Sequence, residues 1–244
     1  MNNFPLPIAA APAGLPIDDV LFVVVPYVVL ALFFVMTIWR YVKDKFSYSS
    51  FSSQFLENQH QFWGSVPWHY GILALVAGHL IGFLFPREVL WWNAVPARLY
   101  IMETGALIFG VTALVGLVNL IIRRAINERI RAVTSRMDVL ILVLLLLQVL
   151  SGLYVALFTR WGTSWFAGVL SPYLWSLFTL RPDASAVALL PWSIKLHILG
   201  AYAIFGVFPF TRLVHVLVVP NHYLWRRAQV VMWNVRKNST GGGK

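Results

Sequence analysis

Cysteine is absent from the 244 residues. That excludes disulfides, thiolate-held iron–sulfur clusters and the C-x-x-C-H attachment of c-type haem in this chain. Charge is also scarce: 11% of residues are Asp, Glu, Lys or Arg, against about a quarter in soluble domains. Any metal must therefore be held by His, Met or carboxylate. The leader MNNFPLPIAAAPAGLPIDD lacks the basic start of a secretory signal, so no cleavage is expected and residues 1–19 read as an extracytoplasmic leader.

What remains is apolar, with 59% hydrophobic residues. A membrane-spanning helix needs about 20 such residues in a run. Five segments qualify: Val20 to Trp39, Pro67 to Phe85, Tyr100 to Ile122, Val139 to Phe158 and Pro191 to Val219. The fold class expected is all-α, an integral membrane bundle of five transmembrane helices occupying residues 20–225. The stretch from Arg40 through His60 reads as a polar loop with a short helix. Residues 161–180 are uncharged but broken by Gly162, Gly168 and Pro172, and are expected to lie at the interface.

The formal charge of +10 sits in short clusters between the apolar runs. That is the pattern that sets membrane topology, and it argues against nucleic acid as a partner. The most basic connection holds Arg123, Arg124, Arg129, Arg131 and Arg136, and a basic tail, 226–244, follows the last span. Both belong inside by the positive-inside rule, which puts the N-terminus outside and the C-terminus in the cytoplasm. The chain is expected to be multi-pass in a prokaryotic inner membrane, with lipid as one partner. The inner basic surface suits a soluble protein partner or anionic lipid.

Four of the six histidines fall in two spans: His69 and His79 in the second, His197 and His215 in the fifth. Ionisable groups inside a span are costly and mark function, although one such His can simply be a neutral imidazole bonded between helices. The 18-residue gap between His197 and His215 is five helical turns, or about 27 Å, whereas His69 and His79 are separated by about 15 Å. These are two levels rather than one compact metal cluster. Haem iron takes one His from each face of a flat ring, so two levels on two helices suggest two haems, each held by two His. Antiparallel spans pair His79 with His197 near the outer face and His69 with His215 near the inner face. The unequal rises require a tilt or a bend at Pro209. Gly71, Gly78, Gly82 and Gly200 leave room beside the ligands, and Lys195 and Arg212 are candidates for the haem propionates. His60 and His222 read as surface residues.

The stretches SSQFLE from Ser52, HYGILALVAGHLIGFLFP from His69, DVLILVLLLLQVLSGL from Asp138 and IKLHILGAYAIFGVFPFTRLVHVLVVPNHYLWRR from Ile194 resemble the cytochrome b gamma subunit of respiratory nitrate reductases. The resemblance implies five transmembrane helices and two b haems held by His69, His79, His197 and His215. It also implies quinol oxidation near the outer haem, and partner iron–sulfur and molybdenum catalytic subunits on the cytoplasmic side, where nitrate is reduced. Gly78, His79, Arg98 and Tyr100 are the candidate quinol contacts. Tyr100 stands near the position of a lysine that the family associates with quinol, and Lys195 stands where the family usually has Arg. Two other readings are a related haem b subunit of another molybdenum or sulfur-metabolism complex, in which electrons could flow outward to quinone, and a haem-free membrane anchor.

Overall fold

The computed structural model describes residues 16–44 and 59–217, and every regular element among them is helical. Five helices are long and apolar enough to cross a membrane. They are α1 (Ile17–Lys43), α2 (Gln59–Leu84), α3 (Pro96–Ile126), α4 (Arg136–Phe158) and α5 (Trp192–Val207). They alternate in direction. The end where α2 finishes is called upper below, and the end where α3 finishes lower. The basic tail and His222 lie outside the described residues.

Each helix differs from its expected span in a way the local chemistry explains. α2 begins at Gln59 and carries Pro67 inside it rather than starting there. α1 begins before Val20 and includes a π-helical turn at Val20–Val24. Pro26 has no N–H to give the carbonyl four residues back, which is that of Phe22. The Tyr173 hydroxyl donates to that carbonyl at 2.7 Å and accepts from Tyr202 at the same distance. One proline in α1 thus creates an acceptor that Tyr173, 151 residues beyond Phe22, satisfies.

The helix of α5 ends at Val207, well short of Val219. Pro209 lies in a 3-10 turn (Phe208–Phe210), Thr211 is extended, and a second 3-10 stretch (Arg212–Leu217) carries His215. His197 and His215 therefore do not share one continuous helix face, which corrects the five-turn reading of their spacing. Arg40, at the lower end of α1, donates from Nη1 to the carbonyls of Pro209 and Thr211. These acceptors are freed by the break.

Packing runs round an arc. α2 lies on α3, α3 on α4, α4 on α5 and α5 on α1, while α2 and α5 barely touch. The α2–α3 approach is close: a Cβ on Gly71 would come within 2.5 Å of the Ala113 nitrogen, and one on Gly116 would strike the Trp68 backbone. Small residues let membrane helices meet backbone to backbone. Trp68, Ala113, Leu117 and Val149 form the core of that part of the bundle.

Residues 162–178 form an interrupted helix across the upper end. Leu170, Tyr173 and Leu177 bury against Phe22, Val155, Ile194 and Ile198. Ser171 Oγ and Trp175 Nε1 donate to the Phe83 carbonyl, at 3.1 and 2.9 Å. The segment expected at the interface is thus a packed cap on the bundle.

Candidate functional site

The arc brings the four sequence-selected histidines together in two pairs. The ring centroids of His79 and His197 are 6.5 Å apart at the upper level, and those of His69 and His215 are 6.4 Å apart at the lower level. Two imidazoles that held one metal between them, each by a bond of about 2 Å, would have centroids roughly 6.3 Å apart. Both separations would fit a group that takes one imidazole from each side. The pairing also resolves the mismatch of rises. Since α2 separates its two rings by about 15 Å, the break at Phe208–Thr211 must redirect the chain for His215 to meet His69.

Hydrogen bonding prepares the rings for the same use. His69 Nδ1 lies 2.7 Å from the Ser65 carbonyl, His79 Nδ1 2.8 Å from that of Leu75, and His215 Nδ1 2.7 Å from that of Arg212. A carbonyl only accepts, so in each ring Nδ1 carries the proton and Nε2 the bare lone pair. A Cβ on Gly78 would meet no atom within 4 Å, so α2 is flat beside His79. Among the described residues no group of three or more Asp, Glu or His could hold a metal ion.

The charged candidates are engaged within the protein. Lys195 Nζ lies 3.0 Å from both carboxylate oxygens of Asp18, and both side chains are 5% exposed. It also stands over the rings of Trp192 and Phe22, at 5.0 and 5.9 Å from their centroids. Lys195, expected as a propionate partner, is thus paired with Asp18. Arg212 binds Asp138 through Nε at 2.7 Å and donates to the Val133 carbonyl at 3.1 Å. Asp138 is buried and closes a capping box with Ser135 at the start of α4, where Arg124 also reaches it at 3.5 Å.

The candidate quinol contacts divide. Gly78 and His79 are adjacent and exposed on α2. Arg98, on the first turn of α3, lies over Trp91 and Trp92 at 5.3 and 5.1 Å, and Tyr100 packs edge-on against Trp161 at 5.6 Å. The contacts of Arg98 and Tyr100 are thus with tryptophans rather than with His79. His79 instead meets Phe166 of the cap, at 5.2 Å.

Sequence reasoning missed Asp18, Asp138, Gln148 and Ser151. A signal existed for each. The acids border spans, where a charge needs a partner, and in residues 139–158 Gln148 and Ser151 are the polar exceptions besides Tyr154.

Residues 18–234 match the family described as nitrate reductase gamma subunit. The chain is 38% identical over 212 residues to the nitrate reductase gamma chain of Bacillus subtilis, covering 85% of this chain and 95% of that one. It is 34% identical over 210 residues to the respiratory nitrate reductase 2 gamma chain of Escherichia coli, covering 84% and 92%. With the respiratory nitrate reductase 1 gamma chain of the same organism it shares 32% over 220 residues, or 86% and 95%.

Proposed function

The chain belongs to the nitrate reductase gamma subunit family, and from that premise we propose that it is a membrane-anchoring dihaem cytochrome b. In this reading it oxidises quinol near the outer face and passes electrons to cytoplasmic iron–sulfur and molybdenum subunits that reduce nitrate. The observation that carries the reading is the matched pair spacing, 6.5 Å for His79 with His197 and 6.4 Å for His69 with His215.

When bound, a b haem supplies one-electron chemistry by cycling its iron between ferric and ferrous. The chain's own part is to bind and insulate it. Carbonyls hold Nδ1–H on three histidines and leave Nε2 without the proton. The near absence of contact between α2 and α5 suits a flat group between them, and Gly78 admits its edge. Basic residues 123–136 put the lower end in the cytoplasm by the positive-inside rule. The His79 level is then the outer one, with Gly78, His79, Arg98 and Tyr100 as quinol candidates. Quinol gives up two electrons and two protons. Release of the protons outside while the electrons go inward adds to the membrane potential.

Anaerobic addition of a short-chain quinol analogue to the purified complex is expected to produce the reduced-haem absorption bands. A complex whose spectrum stays oxidised under that treatment contradicts the quinol-oxidising role.

A further inference from the structure

Three of the four histidines are oriented by their own backbone, and the fourth is not. His197 Nδ1 lies 2.9 Å from the Ser151 hydroxyl, on a different helix. Ser151 Oγ donates its own proton to the Gln148 carbonyl, at 3.0 Å. Its oxygen is then left to accept from His197 Nδ1–H, which leaves Nε2 without the proton. The Gln148 side-chain Nε2 donates to the His197 carbonyl at 3.1 Å and lies 3.2 Å from Nδ1 and 3.4 Å from Nε2. The acceptor carbonyl fixes which end of the amide faces the ring. The other end, Oε1, is buried without a partner, against the spot where a Cβ on Gly200 would sit. A Cβ on Gly152 would come within 2.9 Å of His197 Cε1. Residues 148, 151 and 152 stand at i, i+3 and i+4, so they share one face of α4.

We propose that Gln148, Ser151 and Gly152 form a notch on α4 that positions the His197 imidazole, with Ser151 as a positioning residue that tunes one of two haems separately from the other. The proposal rests on reading the histidine pairs as haem ligands. An acceptor on the distal N–H of a ligating imidazole makes the ring a stronger donor to the metal, which favours the ferric state. Removal of the Ser151 oxygen weakens that donation and favours the ferrous state. His69, His79 and His215 keep their carbonyls throughout.

The test is a redox titration of the assembled complex followed by haem absorption and low-temperature electron paramagnetic resonance, on the parent chain and on Ser151→Ala, Ser151→Thr and Gly152→Ala. Ser151→Ala is expected to move one haem midpoint to a more positive potential and to change that haem's low-spin signal, with the other haem unmoved. Ser151→Thr, which keeps a hydroxyl, is expected to restore the parent values. Gly152→Ala displaces the ring and is expected to halve the haem bound per chain. A parent with two haems and a Ser151→Ala variant with both midpoints and signals unchanged overturns the notch alone, as does an equal shift of both haems. A parent without haem overturns the ligand reading and the notch with it.

Discussion

At the scale of single residues the molecule is governed by where it places charge in an apolar body. Asp18 and Lys195 are buried together, and removing one partner of such a pair leaves an uncompensated charge at a cost of about 3–5 kcal/mol, whereas replacing both by apolar residues is often neutral. Asp18→Leu alone is therefore expected to lower the thermal unfolding midpoint of the detergent-purified complex sharply, and Asp18→Leu with Lys195→Met to recover most of the loss. Equal losses in the single and double variants would show that the pair itself is not what matters. The histidines were legible because ionisable side chains stand out in apolar runs. The partners of Lys195 and Arg212 were not, because a sequence shows that a charge needs a counter-ion without showing which one it meets. Asp18 lies 177 residues from Lys195.

At the scale of elements, hydropathy located all five spans but not their ends. Pro26 and Pro209 show why. Each removes a backbone donor, but the two stand in different surroundings. At Phe22 it is Tyr173, and the helix continues through a π turn. At the lower end of α5, Arg40 binds the carbonyls of Pro209 and Thr211, and the helix stops. The same residue type stands at a bulge in one place and at a break in the other, each with a side chain from a distant helix on nearby carbonyls. The break was foreseen only as a bend needed to reconcile two spacings. The cap at 162–178 was read as interfacial from its length and lack of charge, and its packing on Phe22 and Ile198 was not legible because those partners are distant in sequence.

At the scale of the whole molecule, the arc of helices sets α2 opposite α5 and the 3-10 stretch that follows it, with histidines at two depths, and the proposed topology gives the bundle a direction. The absence of cysteine makes that direction easy to read, since a single introduced thiol has no competitor in the chain. Glu88→Cys, at the upper end, is expected to react with a membrane-impermeant maleimide in intact cells, and Arg129→Cys, at the lower end, only after the membrane is opened. The reverse pattern would invert the proposed topology and with it the outward release of protons. The central claim is that four histidines hold two haems in two pairs, and haem content per chain tests it most directly. The parent is expected to bind two haems, and His79→Ala and His215→Ala to bind one each with different remaining spectra. A parent that binds none, or variants that both keep two, would contradict it.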